Sequence, residues 1–112
     1  MKREEFNNGS VRISNDILTL ISAIAASEVE GVYSLVGMEG VDMTRVHSNQ
    51  IKGVALETDG QNILIDIDII AECEGKVNRI AIIVQENVID KLKLMTGLDA
   101  TCVNVQIEGL NC

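Results

Sequence analysis

The chain has 112 residues, with 17 acidic side chains against 9 basic ones and a net charge of −8; 46% of it is hydrophobic and only 2% aromatic. Phosphate backbones and anionic headgroups bind through Lys and Arg, so this balance argues against nucleic acid and against direct membrane-surface binding. One Phe, one Tyr and no Trp leave no stacking platform for bases, and no apolar run approaches the ~20 residues that span a bilayer.

The amino terminus, MKREEFNNGS, lacks the apolar stretch of a secretory signal. Residues 1–8 are expected to be a flexible segment and residues 9–112 a single domain, long enough for one hydrophobic core. GSVRIS reads as a short strand with Val11 and Ile13 inward. Ser14 is a good N-cap, and Ile17, Leu20, Ile21, Ile24 and Ala25 follow at helical spacing, predicting a helix over 15–29 that Gly31 ends. VYSLV reads as a strand, and a polar segment over 37–50 holds the lone histidine, His47. A hairpin follows. Val54 and Leu56 share one parity, and Ile63, Ile65, Ile67 and Ile69 the other, so its loop has an even number of residues, either Asp59-Gly60 or all of DGQN. A second helix spans 77–96, with Val77, Ile80, Ala81, Val84, Val88, Leu92 and Met95 on its core face, Gly97 as C-cap and Leu98 after it. TCVNVQIEG closes the chain as a strand with Val103, Val105 and Ile107 inward. Elements in this order predict an α+β two-layer sandwich, a mostly antiparallel sheet with two helices packed on one face.

No constellation in this pattern carries catalysis. Asp66 and Asp68 alternate with isoleucines and lie about 7 Å apart on one strand face. A calcium site takes six or more oxygens from a folded loop, so these two read as the solvated side of a half-exposed sheet. His47 has no Ser or Cys motif to serve. GMEG at 37–40 matches a nucleotide-clamping GxxG loop, but its acid and the acidic chain oppose that use. Glu28 projects from the apolar arc of the first helix, as a last-turn residue or a buried, paired carboxylate. Cys73, Cys102 and Cys112 are odd in number and lack a CxxC, which reads as reduced thiols in a cytoplasmic protein. No catalytic residue, metal or cofactor is expected. The one feature that points to recognition is Ile82 and Ile89 on the far side of the second helix, bordered by Glu86 and Lys93, a candidate partner surface.

GSVRISNDIL, AASEVEGV, Gly53-Val54, the alternating strand, Val84-Gln85, MTGL and the closing VNVQIEGL, in this order over about residues 9–110, resemble the alkaline shock protein family found mainly in Gram-positive bacteria. The resemblance implies a non-enzymatic protein of cell-envelope stress or homeostasis, cytoplasmic and held at the inner face of the membrane by an anchor protein. On this basis the expected function is that of an interaction or scaffold protein, homo-oligomeric and docked to a membrane-anchored partner. Some branches are associated with fatty-acid metabolism, and AASEVEGV resembles those, so a regulatory role with a lipid-metabolism protein is the alternative; a small metal-dependent enzyme is a distant third. The chain departs from the family at Glu74-Gly75 and Asn78-Arg79-Ile80, where Tyr-Gly and Pro-Glu-Val are usual.

Overall fold

The computed structural model describes residues 5, 6, 9, 10, 12–74 and 76–112. Its elements are β1 (Glu5–Phe6), β2 (Gly9–Ser10), α1 (Asn15–Ser27), β3 (Val32–Leu35), β4 (Val54–Asp59), β5 (Asn62–Glu72), α2 (Val77–Thr96) and β6 (Cys102–Asn111), with a 3-10 turn at Ser48–Gln50. Both helices lie on one side of a four-stranded sheet, α1 over β3 and β4 and α2 over β6. The α+β sandwich is therefore the fold.

Strand β5 is its axis. Ile63, Ile65, Ile67, Ile69 and Ala71 point into the core and are almost completely buried. Strand β6 runs parallel along one edge of β5; on the other edge β4 pairs antiparallel with its first half and β3 with its second. Asp68 marks the join: its N–H donates to the Gly53 carbonyl at 2.8 Å and its carbonyl accepts the Val36 N–H at 3.0 Å. Gly53 sits at φ +83°, and a Cβ there would lie 3.0 Å from the Val36 carbonyl oxygen and 3.1 Å from that of Asp68. A side chain would wedge β3 and β4 apart. The hairpin adopts the DGQN register, with Thr58 opposite Ile63; Asp59 and Asn62 also pair, which leaves Gly60 and Gln61 as the turn. Val54 and Leu56 then face Ile67 and Ile65 as the parity requires.

Helix α2 spans the residues its spacing predicts, with Ile80, Val84, Val88 and Leu92 buried and Gly97 left-handed at φ +75° as C-cap. Leu98 is buried after it. Met95 is not inward: it is exposed, because the last turn carries it past the packed layer. Helix α1 begins at the Ser14 cap, whose hydroxyl accepts the Ile17 N–H. Its buried face differs from the expected one: Leu18, Ile21, Ser22, Ala23, Ala25 and Ala26 are inside, whereas Ile17 and Ile24 are exposed. Alanines at the contact let α1 lie close to its neighbours, and the larger isoleucines turn out. The buried Ser22 hydroxyl is satisfied by the Leu18 carbonyl at 2.7 Å. Glu28 is neither frayed nor buried. It is the C-cap of α1, where it accepts from Asn87 at 3.0 Å and pairs with Lys91 at 3.5 Å. Asn87 also donates to the Ala25 carbonyl at 2.7 Å, so α2 caps the end of α1.

Two expectations near the termini change. Gly9–Ser10 pair with Glu5–Phe6 in a sheet of their own, and residues 12–14 form no strand, while Val11 lies outside the described residues. The cysteines are not all reduced. Cys73 and Cys112 form a disulfide with Cα atoms 4.9 Å apart, because parallel pairing of β5 and β6 brings the two strand ends together. The Cys73 N–H donates to the Asn111 carbonyl beside it. A cross-link over 39 residues restrains the unfolded chain, a contribution of about 2–4 kcal/mol. Reduction is expected to lower Tm by on the order of 10 °C, whereas a variant with Cys73→Ser and Cys112→Ser should melt alike with and without reductant; calorimetry checks both.

Candidate interaction surface

Among the described residues eleven large hydrophobic side chains are exposed, and seven stand on the two helices: Ile17, Ile24, Ile82, Ile83, Ile89, Leu94 and Met95. Ile17 and Ile24, seven residues apart like Ile82 and Ile89, face away from the sheet on α1, at 45% and 37% exposure. On α2, Ile82 and Ile89 are 53% and 40% exposed, as the far-side placement of the two requires. The exposed apolar set thus extends from α2 to α1, interspersed on α2 with exposed Arg79, Glu86, Asp90 and Lys93, beyond what the sequence pattern marked. Its missed half had a signal. A helix that is apolar nearly all round, as ILTLISAIAA is, belongs between two layers.

Charge separates this surface from the rest of the chain. Asp16, Glu86 and Asp90 are the acids of the two helices, and Arg79, Lys91 and Lys93 their bases, so the helical layer is neutral. The net charge of −8 lies elsewhere, in part on the outer face of the sheet, where Glu57, Asp66 and Asp68 stand. Of the two charged residues expected to border the patch, Glu86 is exposed and free of ion pairs among the described residues. Lys93 is bound to its own helix end, with Nζ 3.1 Å from Asp99 and 3.5 Å from the Gly97 carbonyl. A shallow recess lined by Lys76, Val77, Asn78 and Arg79 adjoins Ile82.

The other sequence candidates are not gathered into a site. Asp66 is exposed and accepts from the Asn104 amide at 3.0 Å, and the described residues hold no group of three His, Cys, Asp or Glu side chains suited to a metal ion. Its strand partner is Ala55, which offers no ligand. His47 is exposed, and its backbone N–H donates to the Gln50 side chain. The GMEG segment is anchored by Met38, which is buried in the core, and Glu39 accepts the Gly37 N–H. In the same loop, hydrogen bonds from the Thr44 hydroxyl and then its N–H hold the Asp42 carboxyl below its usual range. Cys102 is an exposed thiol 3.5 Å from the Asn104 oxygen.

The family model of the alkaline shock proteins, described by a cell envelope-related function, matches residues 3–112. YqhY of Bacillus subtilis strain 168 is 32% identical over 112 residues, covering 98% of this chain and 83% of that protein. YloU of the same strain is 26% identical over 106 residues, with 91% and 88% covered. Spy1535 of Streptococcus pyogenes serotype M6 is 30% identical over 103 residues, with 91% and 79% covered. All three are named as uncharacterized proteins. No solved structure matches the chain.

Replacing Asp66 and Asp68 together with Asn is expected to leave the melting temperature within a few degrees and to remove no cation affinity. Titration calorimetry with Mg²⁺ and Ca²⁺ checks this; micromolar binding by the parent that the double variant lacks would make the strand face a metal site.

Proposed function

Since the chain belongs to the alkaline shock protein family, whose function is related to the cell envelope, we propose that it is a non-enzymatic scaffold that associates with copies of itself and docks to a membrane-anchored protein. The observation that carries the reading is a set of exposed isoleucines on two helices of balanced charge, in a chain of net charge −8. Two copies brought together by their sheet faces would oppose Glu57, Asp66 and Asp68 to like charges. Brought together through their helices, they meet with balanced charge and bury isoleucine side chains. Each such side chain is already about half covered, so its further burial is worth roughly 1 kcal/mol. Two per copy are enough to move a micromolar equilibrium by tenfold or more.

Ile82→Lys with Ile89→Lys is therefore expected to raise the dissociation constant of the assembly at least tenfold. Both side chains already meet solvent, so Tm should stay within a few degrees of the parent. Light scattering over a concentration series, beside thermal melts, measures both; an unchanged mass would remove this surface from the reading.

The envelope is reached through a partner. No described helix is long and apolar enough to cross a membrane, and the acidic chain opposes anionic headgroups. In fractionated cells the protein is expected in the membrane pool together with a membrane-spanning protein, while the purified chain leaves protein-free vesicles of phosphatidylglycerol unbound. Direct binding to those vesicles, or absence from the membrane pool, would overturn the docking step.

A further inference from the structure

Strand β6 forms an open edge of the sheet. The even-numbered residues of β5 turn their backbone groups toward β3 and β4, as both bonds of Asp68 show, so the odd-numbered ones face β6. The parallel register sets Ile65 opposite Val103 and Ile67 opposite Val105. In a parallel pair the bonding residues of one strand fall between those of the other, so Cys102, Asn104 and Gln106 face β5. Val103, Val105 and Ile107 present their backbone groups to the outside. The Gln85 amide of α2 donates to the Val103 carbonyl at 2.9 Å, so that carbonyl is turned away from the β5 ladder. The N–H of Val103 and both groups of Val105 therefore point away from β5, while beyond Ile107 a bulge interrupts the alternation.

An unpaired edge of this length is usually blunted by lysine, proline or a covering loop. Strand β6 has neither lysine nor proline, its one charge is Glu108, and its bulge, between Ile107 and Gly109, lies past the residues that would pair. We propose that this edge is where a second copy of the chain adds, β6 against β6 in antiparallel pairing about a two-fold axis at Val105; this rests on the self-association proposed above and names its geometry. The strand is self-complementary in that register. Val105 meets Val105 of the second copy, and Val103 meets its Ile107, on the helix-facing side where Val103 is buried and Val105 and Ile107 are half-buried. On the opposite side Asn104 meets Gln106, an amide pair with no like charges. Ile82 and Ile89 flank Gln85 at spacings of three and four, one stripe of α2 on the side that reaches the β6 edge. The same two-fold axis therefore sets the two α2 stripes facing each other above the joined strands, so one contact closes the backbone edge and covers both isoleucines.

The test is Val105→Pro. Proline removes an N–H that the β5 ladder does not use, and its ring fills the space an incoming strand would occupy, so an edge strand tolerates it while pairing does not. The proposal expects a folded monomer by circular dichroism and a dimer dissociation constant raised at least tenfold by sedimentation. A second variant, Asn104→Lys with Gln106→Lys, sets like charges opposite each other across the axis at two exposed positions beside Asp66 and Asp68. It is expected to weaken the dimer similarly at low salt and to recover as salt screens the charges. It also decides the matter if the proline variant fails to fold. Should both variants dimerise like the parent while Ile82→Lys with Ile89→Lys dissociates, the strand geometry is wrong and association runs through the helices alone. A parent chain that stays monomeric up to millimolar concentration would sink the association reading itself.

Discussion

The side-chain parity of β5 is the constraint on which the rest of this structure depends. Four isoleucines at alternate positions must all leave water together, a gain on the order of 10 kcal/mol, comparable to the whole net stability of a domain this size. A shift by one residue would bury Asp66 and Asp68 and expose the isoleucines. That penalty fixes the face the helices cover, the register of the hairpin and the strand to which every other strand of the sheet is joined. It also explains the Asp68 junction. A strand of eleven residues is longer than β4 can cover, so β3 completes the same edge, and Gly53 lets the two meet without a side chain between them.

Covering one face of the sheet with two helices leaves each helix with a second face to dispose of. In α1 the inner contact is made by Leu18, Ile21 and several alanines, which places the bulkier Ile17 and Ile24 outside. Helix α2 buries one stripe and sends Ile82, Ile83 and Ile89 outward. The polar contacts between the helices are short and specific: Asn87 with Ala25 and Glu28, and Lys91 with Glu28. They fix the helices relative to each other, so the apolar residues outside form a surface of set shape. Part of the acidic charge, Glu57, Asp66 and Asp68, stands on the opposite side of the sheet. A molecule divided in this way resists non-specific aggregation through its charge and retains one neutral face for association.

The Cys73–Cys112 bridge and the open edge of β6 have a common origin. Chain from β5 returns through α2 to lie parallel to it, a βαβ unit whose two strands end side by side. That arrangement brings two distant cysteines within bonding reach, and it places the last strand at the margin with its outer backbone groups turned away from β5. Had β6 run antiparallel, the Cys112 end would lie at the far end of β5. The function proposed for the edge and the cross-link that restrains it are thus two results of one crossover.

Local periodicity was enough to determine the two helices and the strands from β3 onward, though not the first strand. The extent of α2, the Ser14 and Gly97 caps, the parity of β5, the even hairpin loop and the solvated carboxylates all follow from spacing, because each depends on neighbours within a turn or a strand pair. The family was legible as well, through an ordered series of short segments, and with it the link to the cell envelope. Ile82 and Ile89 could be placed outside because α2 has one clear apolar stripe opposite them. Helix α1 has no such contrast. Its apolar residues surround it, and only the close packing against the sheet and α2 chose alanine for the inside and Ile17 and Ile24 for the outside. The direction of β6, the disulfide, and the neutral character of the whole helical face likewise join residues tens of positions apart. Spacing along a chain carries no information about which distant segments share an edge; the burial of the β5 isoleucines under two helices decided that.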